Sequence, residues 1–216
     1  MRPLRSACAL VLATTMLTGV AAAQDARLAA RLSPGARADV EAVLDSARRD
    51  GLPVEPIVDR ALEGATKGAD DTRIVAAVRR LAADLAAARD AFGPGVADAE
   101  IAAGASALRA GARGQDLASL RTARPGQSVT VAAAVLTDLV ALGVPPDTAT
   151  AAVLALAARA DDATYLAFRR NVERDVALGA TPVAALTYRL VTEGTAQLGD
   201  ALGPSTPASP GRPRKP

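Results

Sequence analysis

The stretch DDTRIVAAVRRLAADLAAARDAFGP, residues 70–94, decides the fold. Its apolar residues Ile74, Val78, Leu81, Leu85, Ala88 and Phe92 recur at spacings of 4-3-4-3-4. A helix places residues so spaced on one side, whereas a strand needs alternation with period two. Asp70 or Asp71 can accept the first free backbone N–H groups of such a helix, and Gly93-Pro94 ends it. The same stripe resembles a coiled-coil seam, but a coiled coil sustains its heptads over three or more repeats. Packing inside a helical bundle is therefore the expectation.

The pattern spreads in both directions. Ser33-Pro34 reads as an N-cap followed by a proline in the first turn, and Val40, Val43, Leu44 and Ala47 then form one apolar face up to Gly51. Leu52-Pro53 opens a second unit faced by Ile57, Val58, Ala61, Leu62 and Ala65, which Gly68 closes. Asp98–Ala110 and Asp116–Ala123 read as shorter helices, with a turn at Arg124-Pro125-Gly126. Ser128 to Leu142 is apolar apart from a few residues such as Asp138, and is expected to be the central, most buried element. Helices at Pro145–Ala160 and Ala163–Leu178 follow, the latter capped by Asp161 or Asp162. Thr181-Pro182 then starts a last helix reaching about Leu202. No run alternates with period two. The expected fold is all-α, about nine short alanine-rich helices packed as helical hairpins, in a solenoid-like or orthogonal-bundle arrangement.

A weak repeat underlies the last part of the chain. Val140-Ala141-Leu142-Gly143 recurs 36 residues later as Val176-Ala177-Leu178-Gly179, with Pro146 and Pro182 three residues beyond each glycine. A period of that size is typical of helical hairpins stacked side by side.

The two ends are of different material. Met1–Ala23 has basic residues Arg2 and Arg5, an uncharged apolar run from Ala7 to Val20, and small residues before Gln24. This is the three-part pattern of a secretory signal peptide cut after Ala23, and its apolar run is too short to span a bilayer. The expected organisation is a signal peptide at 1–23, an all-α domain at 24–202 and a disordered, proline-rich basic tail at 203–216. No integral membrane span is expected after cleavage.

Removing Arg2 and Arg5 leaves the chain formally neutral, because the whole chain carries 25 basic and 23 acidic residues. Much of the remaining basic charge near the end sits at Arg212, Arg214 and Lys215. That distribution lacks the basic patch of a nucleic-acid binder. The excess of arginine over lysine and the abundance of alanine match the bias of GC-rich bacterial genomes.

Chemistry is bounded by what the chain lacks. It has no histidine, and its one cysteine, Cys8, leaves with the signal peptide. The usual zinc and copper ligands, disulfides and histidine-based nucleophile systems are thereby removed. No glycine-rich loop has the spacing of a dinucleotide or phosphate fingerprint. No cofactor, metal site or catalytic residue is expected. Asp70-Asp71 and Asp161-Asp162 are paired carboxylates that helix capping accounts for. Lys67 precedes Gly68, where it complements a helix C-terminus.

The strongest candidate surface lies between Tyr165 and Tyr188. Tyr165, Phe168, Arg169, Arg170, Arg174 and Tyr188 bring together the residue types most often energetic at interfaces. The expected function is that of an exported, non-catalytic interaction or scaffold protein of the bacterial cell envelope with a protein partner. The alternatives are a cell-wall hydrolase or lyase working with carboxylates alone, and a helical carrier of a lipid or amphipathic ligand.

Overall fold

A computed structural model describes the backbone of residues 26–201 and the side chains of residues 26–192. The expected signal peptide at 1–23 and tail at 203–216 lie outside the described residues. Among the described residues the fold is all-α, with no strand. A single helical turn, α1 (26–29), is followed by α2 (Pro34–Arg49), α3 (Glu55–Thr66), α4 (Asp71–Phe92), α5 (Asp98–Ala110) and α6 (Gly114–Ala123). Then come α7 (Thr130–Ala141), α8 (Pro146–Ala157), α9 (Asp162–Ala177) and α10 (Pro182–Ala201). None of the described helices is long and apolar enough to cross a membrane.

The helix starts follow from cap chemistry. Ser33 Oγ accepts from Ala36 N at 3.3 Å, Asp70 from Arg73 N at 2.9 Å, and Asp161 from Thr164 N at 2.8 Å. Each side chain satisfies one of the N–H groups that a helix start leaves without an intrahelical partner. Of the two aspartates in each pair, the first is the cap.

The helix ends follow from glycine. Gly143 and Gly179 take φ of 103° and 104°, a left-handed conformation that side chains with a Cβ resist. Each is followed by the same return bond, Val144 N to Leu139 O and Ala180 N to Asp175 O, both at 3.0 Å. The backbone closure of a Schellman end is thus repeated 36 residues apart, and the prolines that open α8 and α10 keep the same offset. The internal repeat is one of structure as well as sequence.

The chain divides into two compact units, Met1–Arg121 and Thr122–Pro216. In the first, α4 is the hub, with α2, α3 and α5 all packing against it. Its stripe of Ile74, Val78, Leu81, Leu85, Ala88 and Phe92 is buried in full, so the seam is consumed inside the unit. The α4–α5 crossing is close because α5 presents Gly104 to Ala88 and Phe92. Before these helices, Leu28 and Leu32 are buried, and Arg27 pairs with Glu55 and with Asp59, the latter at 3.0 Å.

The second unit is built from two hairpins side by side. α7 packs against α8 and α9 against α10, while α7 meets α9 and α10 meets α8. The segment 128–142 does not fulfil the expectation of a central, most buried element. Ala134 and Ala141 of α7 are exposed, and the adjacent α8 is buried to a similar extent. Alanine counts as apolar yet exposes too little area for its burial to be compulsory, so a run of alanines overstates depth.

Candidate functional site

α9 carries a buried stripe and an outward face, and the structure divides the expected surface residues between them. Tyr165 and Phe168 are fully buried, at 0% exposure. They belong to the stripe that Val172 continues, and they face the core of the second unit. The Tyr165 hydroxyl donates to the Val153 carbonyl at 2.8 Å. Burial pushes its pKa up to about 12, against the opposing pull of the Arg124 guanidinium 5.2 Å from the ring centroid. The assignment of Tyr165 and Phe168 to a partner-binding surface is therefore corrected: these rings anchor the fold.

Arg169 is half-buried and engaged. Its Nη1 donates to Asp138 Oδ2 of α7 at 2.8 Å, and Glu173 lies 3.7 Å from its Nε. Its work is to tie α9 to α7. Arg170 and Arg174, one turn apart, are exposed on the outward side.

On α10, Tyr188 is 60% exposed, with the Arg189 guanidinium 5.3 Å from its ring centroid. Arg189 also holds Asp175 of α9 in a two-pronged pair, Nε to Oδ2 at 2.6 Å and Nη2 to Oδ1 at 2.7 Å. Those bonds keep the Asp175 carboxyl below its ordinary range, with Arg174 adding to the effect. A carboxylate so engaged is a clamp between two helices and is poorly suited to proton transfer.

Around this clamp the surface is apolar. Leu178 is 81% exposed, Val191 61%, Val183 41% and Leu166 37%. With Tyr188 these are all the large apolar side chains exposed among the described residues, and every one lies on α9, α10 or the turn between them. Asp175, Leu178, Ala180, Ala184, Ala185 and Tyr188 line a groove of about 390 Å³. Leu166, Leu178, Val183 and Val191 escape a search for titratable or aromatic residues. Only Val191 has a signal, the α10 spacing of Ala184, Tyr188 and Val191, which a helix turns to one side.

The remaining carboxylates of interest have structural partners. Glu63 is held below its ordinary range by Lys67 first and Arg60 second. Asp161 is lowered by its bonds from Thr164, and Glu100 is buried between the Ala97 N–H and Arg121. Among the described residues no group of three or more acidic, histidine or cysteine side chains is placed to hold a metal ion. On α9 and α10 the exposed apolar side chains and Tyr188 share one hairpin with the exposed Arg170 and Arg174.

No protein-family model matches this chain, and neither a curated protein nor a solved structure matches it.

Proposed function

We propose that this is an exported, non-catalytic interaction or scaffold protein of the bacterial cell envelope, engaging a protein partner through the outward face of α9 and α10. The observation that carries the reading is the confinement of exposed large apolar side chains to that one hairpin. Scattered apolar residues are ordinary on a protein surface, whereas a contiguous group with a polar rim marks a contact surface. Arg170 and Arg174 are exposed on the same hairpin, and Tyr188 is the aromatic anchor.

Two further points support the reading. The acidic residues with the clearest ligand-like placement, Asp70, Asp161 and Asp175, are occupied as helix caps and as an ion pair. The grooves in the first unit are open and lined by charged residues such as Asp39, Asp50 and Arg79, unlike the closed apolar cavity that a lipid carrier needs. For export, the expected cut after Ala23 falls before the first described residue, so it leaves the contacts of Arg27, Leu28 and Leu32 intact.

Photo-crosslinking in growing cells tests the interface. A benzophenone side chain at position 191 should give a covalent adduct with a protein, recovered from the envelope fraction. The same group at position 49, on the exposed side of α2, should give none. Equal adducts from both positions, or none from 191, would contradict the assignment.

A further inference from the structure

Resting on that reading of the α9–α10 face, we infer that its occupant is a helical hairpin of another protein, stacked on α9–α10 as α9–α10 is stacked on α7–α8. The second helix of that hairpin starts over Gly179, and a carboxylate of its first helix meets Arg174. The 36-residue repeat gives each position of α9–α10 a counterpart in α7–α8. Two contacts show how one hairpin seats on the other. A Cβ on Gly143, in the α7–α8 turn, would stand 3.5 Å from Pro182, the residue that opens α10. Asp138 of α7 accepts from Arg169 of α9 at 2.8 Å. Both seats recur on α9–α10 and are open. Nothing lies within 4 Å of a Cβ on Gly179, and Arg174, the counterpart of Asp138, is exposed.

The groove of about 390 Å³ lies beside the same turn. Its Ala180 and Tyr188 are the counterparts of Val144 and Ala152, each 1% exposed, yet Ala180 is half-buried and Tyr188 is 60% exposed. Positions closed in the first hairpin are therefore open in the second. A repeat that ends a stack carries a polar outer face, which Leu178 and Tyr188 do not supply. Val183 and Val191 have the exposed counterparts Asp147 and Ala155, so they stand at the border of the seat. Asp175 and Arg189 replace the buried Leu139 and Val153. They are bonded to each other, so a partner can cover them without leaving a charge unpaired.

Charge and burial select the partner. A further copy of α9 would set its Arg169 against Arg174, two like charges, whereas a carboxylate at that place pairs with it. A second copy of this chain also lacks a free face for this register. The residues by which α9 joins the stack, Tyr165, Phe168 and Val172, are buried, and so are their counterparts Val129, Ala132 and Leu136. The segment 203–216 is shorter than α9 alone, which has 16 residues, and its five prolines are incompatible with a continuous helix.

Photo-crosslinking from position 188 of the full chain in growing cells, followed by sequencing of the attached segment, tests the register. A benzophenone side chain there should join a different protein, near the start of the second helix of a hairpin. Arg174→Glu should lower the yield by about tenfold or more. Replacing the facing carboxylate of the partner by arginine should then restore it. Arg174 is exposed, so the variant should keep the wild-type helical spectrum. If it does not, Arg174→Ala decides, with a smaller loss of yield expected. An attached segment that is not a helical hairpin, or that belongs to a second copy or to residues 203–216, overturns the inference. So does a yield indifferent to the Arg174 variants. Adducts from position 191 but not from 188 overturn the stacking register and leave the interaction surface standing. The absence of adducts from both positions overturns both.

Discussion

Arg124→Ala is expected to destabilise the protein by about 3–4 kcal/mol, the largest effect of any single arginine replacement. Arg124 is 2% exposed. Its guanidinium donates to the Ala160 carbonyl, to the Ser128 carbonyl at 3.1 Å and to Asp162 Oδ1 at 3.1 Å, while lying over the Tyr165 ring. The ion pair is the smaller part of this, because Asp162 is half exposed and water can replace the arginine there. The larger part is the Ala160 carbonyl left without a donor in a buried position, about 1–3 kcal/mol, and the hole left by the stem beside Tyr165. Arg124→Met should restore the packing share, about 1–2 kcal/mol, and no more. Arg124→Lys should fall short of wild type, since a compact ammonium cannot serve three acceptors arranged for a planar fork. Urea denaturation followed by circular dichroism measures all three variants. An Arg124→Ala loss below about 1 kcal/mol would contradict the fastening role of the guanidinium.

The second large effect lies in the first unit. Gly104→Val is expected to cost about 3 kcal/mol. A Cβ on residue 104 would stand 2.5 Å from Phe92 Cε2 and 3.0 Å from Ala88 Cβ. Both neighbours are buried, so the ring cannot swing into solvent and the α4–α5 crossing must open. Alanine at the same site should be milder, because the gain in helix propensity, about 1 kcal/mol, offsets part of the overlap. Gly35 in α2 is the control. Nothing lies within 4 Å of a Cβ there, so Gly35→Ala should be neutral or stabilising by up to about 1 kcal/mol. Denaturant midpoints that moved the same way for Gly104→Ala and Gly35→Ala would contradict the close approach of the two helices.

The sequence was informative wherever a local rule acts. Ser33, Asp70 and Asp161 sit before apolar stripes and cap helices, because capping depends only on residues three or four positions away. Gly143 and Gly179 end helices for the same reason. The stripe of α4 was legible as a face, and burial of that face followed. Depth was harder to read. The alanines of α7 look like core by composition, but Ala134 is exposed, since alanine has little to lose in water.

The candidate surface was half legible. Helical spacing sets Tyr165 and Phe168 on a different side of α9 from Arg170 and Arg174, so the four do not make one binding patch. A stripe of aromatic residues on one helix face packs the core first. Arg124 gave no warning, because an arginine before Pro125-Gly126 resembles any turn residue, and its acceptors lie up to 38 positions away. Leu178 and Val191 were hidden by the same non-local logic. Whether an apolar residue is covered depends on which helix lies opposite, and the outward face of α10 has none among the described residues.

Native mass spectrometry of the protein released from the envelope fraction tests the central claim most directly, because one spectrum reports both the N-terminus and the assembly. The account predicts a chain beginning at Gln24, present in a complex with at least one further polypeptide, that dissociates when Tyr188 and Val191 are replaced by glutamate. A lone chain that retains Met1, recovered from the cytosolic fraction and unaffected by those replacements, would contradict it.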